Sequence, residues 1–144
     1  MFHKLKSVTP LPDLKLLVHF TDGTAKQYAI RPLLSQYEDF RPLETTPGLF
    51  EQVVVDAGGY GVSWNDEIDL ACDELWENGV PASTPFDDLL AFSDATSLWG
   101  LSESTLRKAV SYKKLVEGVD AQKFGKQWIV TRSAMEREYG QISK

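Results

Sequence analysis

The run Trp99-Gly100-Leu101-Ser102 limits what this chain can fold into more than any other stretch. Glycine reaches the left-handed backbone conformation that ends a helix. A serine two residues later is a preferred cap for the next helix. Upstream, Ser93 is a candidate N-cap and Ser93 to Leu98 reads as a short helix. Downstream, Leu106, Ala109 and Val110 stand at i, i+3 and i+4, the spacing of a helical buried stripe. Thr105 takes the place that glutamate would fill in a full capping box.

After this second helix, Val116 to Asp120 and then Lys123 to Val130 read as a hairpin. A last helix, capped by Thr131 or Ser133, stops at Gly140. Before the first helix, Phe86 to Phe92 fits either a lead-in helix or an extended segment. Helix, tight turn, helix, basic hairpin, helix is the order of parts in a small winged helix-turn-helix domain.

Placed on a helical wheel, Leu106, Ala109 and Val110 point inward, and Ser104, Thr105, Arg107, Lys108 and Ser111 cover the rest. Ser102 and Ser104 are short enough to let the backbone approach a phosphate at the helix N-terminus. Arg107 is the best base reader, since its fork matches guanine O6 and N7. Lys108, Lys113 and Lys114 suit phosphate contacts. Lys123 and Lys126 flank Phe124-Gly125, the expected wing tip, and Asp120 nearby is expected to weaken a phosphate contact there. Trp99 and Trp128 read as core rather than base-stacking residues, because so small a domain needs large side chains to bury enough area. Trp64 and Trp76 read as core or interface.

Charge supports that division. The net charge is -6 over 144 residues, which argues against a generic nucleic-acid coat. Residues 1–85 carry 6 basic and 13 acidic side chains, whereas residues 100–144 carry 9 basic and 5 acidic. A duplex would therefore sit on the C-terminal third.

The stretch SDATSLWGLSESTLRKAVSYKKL, continuing through FGKQWIVTRSAMEREYG, resembles helix-turn-helix domains of the excisionase and MerR-like winged group over about residues 90–140. Ala95, Leu98, Gly100, Ser102, Thr105, Leu106 and Arg107 match the helix-turn-helix pattern, and Gly125, Lys126, Trp128 and Ile129 match the wing strand. Trp99 departs from it, standing where a smaller aliphatic is common. The resemblance implies double-stranded DNA as partner, and antitoxin, phage or repressor proteins as relatives.

The first half alternates as strands do. Lys4 to Val8, ending at Pro10, then Leu14 to Phe20 and Thr24 to Ile30 are strand candidates, the last two joined at Thr21-Asp22-Gly23. Arg31-Pro32 opens a helical turn, Phe50 to Val55 reads as a strand, and Ala57 to Gly61 is a glycine-rich turn from which Val62 to Trp64 pairs back. Ile68 to Trp76 reads as an amphipathic helix closed by Asn78-Gly79. VHFTDGTAKQYAI and LFEQVVVDAGGYGVSWNDEIDLACDELWENG, in that order, resemble the small-domain family DUF2442 over about residues 1–79. That family has no assigned chemistry. The resemblance implies a small antiparallel sheet with short helices, often fused to or encoded beside DNA-binding and toxin–antitoxin proteins. Residues 80–86 read as a proline-containing linker, and 87–144 as the winged helix-turn-helix domain.

The expected fold is α+β. No chemistry is expected: the cluster Asp66, Glu67, Asp69, Asp73 and Glu74 has no metal-loop spacing and no basic partner nearby. GYGVSW lacks the glycine after serine that a nucleophile elbow needs. Gly58 to Gly61 lacks the lysine of a phosphate loop. His3, His19 and the single Cys72 have no ligand spacing. No metal or cofactor is called for. With no apolar leader or spanning run, a cytoplasmic location is expected. The composite expectation is a sequence-specific transcriptional regulator, an antitoxin-type autorepressor acting as a homodimer, whose acidic N-terminal domain could hold a toxin. The alternative is an adaptor whose acidic domain binds a basic partner without DNA.

Overall fold

A computed structural model describes residues 2–142; residues 1, 143 and 144, at the ends of the two expected domains, lie outside the described residues. The chain divides into two compact units, residues 1–85 and 86–144. Both are α+β with antiparallel sheets. Among the described residues, no helix is long and apolar enough to cross a membrane.

In the first unit, β1 (Leu5–Leu11), β2 (Lys15–Phe20) and β3 (Ala25–Ala29) form a meander. Leu16, Val18 and Phe20 alternate inward along β2 and are buried. β1 does not stop at Pro10 as expected but runs on to Leu11. It is the edge strand, so proline's missing N–H breaks no ladder. The Thr21-Asp22-Gly23 turn closes as expected, with Phe20 N–H donating to Thr24 O at 2.8 Å.

Two short helices follow, α1 (Arg31–Gln36) and α2 (Pro42–Thr45). Phe50 to Val55 is not one strand: Phe50–Gln52 is a single 3₁₀ turn, and only Val54–Val55 pair, as β4. That turn buries Phe50 and presents its carbonyl to the indole N–H of Trp64 at 3.0 Å. β4, β5 (Gly61–Ser63) and β6 (Asp69–Ala71) make a second, three-stranded sheet where the family resemblance implied one sheet. The helix expected from Ile68 begins only at Cys72: Asp69–Ala71 pair with β5, and α3 covers Cys72–Asn78. Tyr28 on β3 donates to Glu74 Oε2 on α3 at 2.7 Å, and burial pushes its phenol above the ordinary range.

β7 (Val80–Pro81) corrects the expected linker. It pairs with Lys26 and Gln27 at the edge of the first sheet, so the N-terminal unit extends past residue 79. Its proline is tolerated because an edge strand has a side without a ladder.

The second unit is built from β8 (Leu89–Ala91), α4 (Phe92–Trp99), α5 (Glu103–Ser111), β9 (Ala121–Phe124), β10 (Gln127–Thr131) and α6 (Arg132–Tyr139). Its sheet order is β8-β10-β9, so the lead-in segment is a strand rather than a helix. Ala71, Ala91 and Thr131 are each the last residue of a strand and the N-cap of the helix that follows, with extended φ/ψ. These joints use no loop residues. Ser93 is accordingly not the cap of α4: it lies inside the helix, and its carbonyl accepts from the hydroxyls of Thr96 and Ser97. Thr131 caps α6, accepting from Ala134 N–H at 3.1 Å. Ser133 instead donates to Asp88 Oδ2 at 2.7 Å.

Gly59 is required by packing as well as by its φ of +80°. A Cβ there would stand 2.5 Å from Leu5 O on β1. Gly59→Ala is expected to destabilise the first unit by about 2 kcal/mol or more. Amide hydrogen exchange read residue by residue checks this, with lost protection concentrated in β1 and β5.

Candidate nucleic-acid interface

The turn between α4 and α5 forms as its residues dictate. Gly100 is left-handed, at φ +69° and ψ +35°, and Leu101 N–H reaches back to Thr96 O at 3.0 Å. Ser102 then caps α5, its Oγ accepting from Thr105 N–H at 3.2 Å. The same Oγ lies 3.0 Å from Ser104 Oγ and 2.9 Å from Thr105 Oγ1. Ser102 is thus first a cap, an interaction of about 1 kcal/mol.

Leu106 and Ala109 are buried and Val110 half-buried, so α5 is pinned along the expected stripe. At 3.6 residues per turn, Ser104, Arg107, Lys108 and Ser111 fall within an arc of about 100° on the opposite side. Thr105 lies to the flank. All ten candidate residues, Ser102, Ser104, Thr105, Arg107, Lys108, Ser111, Lys113, Lys114, Lys123 and Lys126, are exposed. The structure brings the four of the α5 arc onto one face. It assigns Lys113 and Lys114 to the helix end, and Lys123 and Lys126 to the β9–β10 hairpin.

The helix end has a feature that periodicity does not announce. Lys113 is left-handed, at φ +64°, where glycine is usual. The closure is complete, with Lys113 N–H to Val110 O at 3.1 Å and Lys114 N–H to Ala109 O at 2.9 Å. Leu115, buried directly afterwards, anchors the reversal. Lys114 Nζ sits 4.3 Å from the centre of the Tyr139 ring, so this cation is partly engaged within the unit.

Val116 to Asp120 is a turn, not a hairpin strand as expected. The hairpin is β9–β10, with Phe124 opposite Gln127 across a two-residue loop of Gly125 and Lys126. Asp120 is not a repulsive acid beside the wing either. It is buried, and Arg137 holds it with two hydrogen bonds of 3.2 and 2.7 Å. Val116 N–H donates to its Oδ2 at 2.9 Å. The Arg137 guanidinium, joined by that N–H, holds the carboxyl below the usual aspartate range. Trp99 and Trp128 are packing residues. Trp99 donates to Gly140 O at 2.7 Å, and Trp128 stacks on Phe92 at 5.6 Å. Two exposed aromatics are absent from the sequence-based site: Tyr112 beside Lys113, and Phe124 between Lys123 and Lys126. The signal for both was available, an aromatic amid lysines.

Residues 82–144 match a family described as a helix-turn-helix domain, and residues 5–81 match one described as a protein of unknown function, DUF2442. No protein of curated function matches. A crystal structure from Nitrosomonas europaea, of a candidate DNA-binding protein, is similar at 17% identity, over 98% of this chain and 79% of that one, with a TM-score of 0.45.

Asp120→Asn removes the charge that Arg137 and Val116 hold, and is expected to cost the second unit about 1–2 kcal/mol, since the half-exposed arginine is screened by solvent. Because the folded carboxyl titrates below its unfolded value, its contribution is present above about pH 4 and lost as pH falls further. Thermal melts should show the gap between wild type and variant shrinking below about pH 4; a gap that widens there contradicts the assignment. Lys113→Gly is expected to raise stability by about 1 kcal/mol by relieving the left-handed lysine, which urea unfolding measures.

Proposed function

Because the chain belongs to the DUF2442 family over residues 5–81 and continues into a helix-turn-helix domain over 82–144, we propose that it is a DNA-binding transcriptional regulator. The C-terminal unit grips the duplex with α5 in the major groove. The observation that carries this reading is the exposed arc of Ser104, Arg107, Lys108 and Ser111, set opposite the buried Leu106 and Ala109. Packing alone fixes the helix and leaves that arc free. Arg107 reads guanine, while Lys108, Lys113 and Lys126 neutralise phosphates.

A finer form of the reading makes the chain an antitoxin-type autorepressor, dimeric on a palindromic operator. Its N-terminal unit, with 13 acidic against 6 basic side chains, would offer carboxylates to a basic toxin. Repression of a reporter placed behind the chain's own promoter, relieved by that toxin, tests this form.

For the general reading, a duplex selected by the chain from a randomised library serves as probe in fluorescence anisotropy. Affinity should fall steeply between 50 and 200 mM salt. The double variant Arg107→Ala, Lys108→Ala should bind at least tenfold more weakly and reduce the log–log salt slope by about 1–2. Unchanged binding in that variant ends the case for α5. No binding by the wild type at low salt favours the adaptor reading.

A further inference from the structure

The three-stranded sheet of the second unit has one face covered and one face open. Leu90, Val130 and Ala121 point into the core, packed with residues of α4, α5 and α6. Trp128 shares that side, paired with Lys123. Strand alternation turns their neighbours the other way. There Leu89 stands opposite Thr131, Gln122 opposite Ile129, and Phe124 opposite Gln127. Val119, in the turn before β9, joins them, lining one shallow cleft with Leu89, Phe124 and Ile129. Phe124 is 59% exposed, Val119 72% and Leu89 36%. Lys123 is the only charged residue in the sequences of the three strands, and it lies on the inner side. The outer side is thus a patch of apolar side chains and amides, left largely to solvent.

We propose that a second copy of the chain docks on this face, sheet against sheet. The inference names the surface behind the dimeric form proposed above, and it stands without DNA. Charge is the first argument for a second copy. A two-fold contact sets the same patch against itself. Two chains that each carry a net charge of -6 repel wherever their carboxylates meet. A face without charge escapes that cost. The amides of Gln122 and Gln127 both donate and accept, so an amide can pair with the same amide of the other copy. A charged partner, in contrast, finds nothing here that would select it. Area is the second argument. The exposed surface of these residues comes to roughly 600 Å² per copy, so a pair buries about 1,200 Å² in all, the low end for a specific contact. Sheets packed face to face lie about 10 Å apart, with side chains interdigitating. The contact would add a second apolar layer to a unit of about 60 residues, whose own core is small.

The test is sedimentation equilibrium of the full chain, free of DNA. The wild type should be dimeric at about 100 μM, as a contact of this size allows. Phe124→Glu and Val119→Glu each bring two like charges together at the contact, and each should weaken dimerisation at least about tenfold. Both positions are exposed, so the fold should survive, which thermal melts check. Phe124→Gln, which adds no charge, should weaken the dimer less than Phe124→Glu does. Tyr37→Glu, at an exposed aromatic of the first unit, should leave the dimer intact. A wild type that stays monomeric overturns the proposal. So does a dimer that both glutamate variants of the sheet leave unchanged, or one that Tyr37→Glu abolishes as they do, which would assign the contact to the first unit. Because no duplex is present, failure of the DNA-binding reading would show in the anisotropy experiment and not here.

Discussion

The second unit is tied together at Asp120. Its carboxylate takes two bonds from Arg137 on α6 and one from the backbone of Val116, in the turn after α5. Its own carbonyl accepts from Thr131 N–H at 2.9 Å, where β10 becomes α6. One residue thus joins the turn after α5, the start of the β9–β10 hairpin and the last helix. A unit of about 60 residues has little core with which to fix its parts. A charge held under cover by arginine and a backbone N–H supplies direction that apolar packing lacks. The same pairing neutralises one covered acid with one half-exposed base, and leaves the cations of α5 and the hairpin facing solvent.

The strand-to-helix joints express a related economy. At Ala91 and Thr131 the chain passes from sheet to helix without a loop, so β8 and β10, neighbours in the sheet, hand their alignment directly to α4 and α6. Trp99 then bonds the end of α4 to Gly140 at the end of α6. α5 hangs from this frame by Gly100 and by Leu106 and Ala109, and needs nothing from its outer face to stay in place. That separation of support from display is what makes the outer arc available for binding.

Where the sequence reading went astray, the reason was a partner far away in the chain. Ile68 to Trp76 has helical periodicity, yet Asp69–Ala71 pair with β5 because an antiparallel neighbour was waiting. Val80 and Pro81 look like linker, and only the free edge of β3 turns them into a strand. Ser93 is a good cap by type, but the joint at Ala91 starts the helix before it. Asp120, taken as an acid beside the wing, is covered because Arg137, 17 residues on, returns to meet it. In each case local pattern competed with a long-range contact and lost.

The sequence by itself determined the two-unit plan, the α+β character, the turn at Gly100 and the outward set of α5. Those features depend on residues within a few positions of one another: a glycine free to be left-handed, a serine able to cap, and a stripe at i, i+3 and i+4. Tertiary structure alone decided the left-handed Lys113, the covered Asp120, the edge strand at Val80 and the exposure of Phe124. Each of these is fixed by what lies across the sheet or beneath the helix, and no spacing along the chain records which partner will be there.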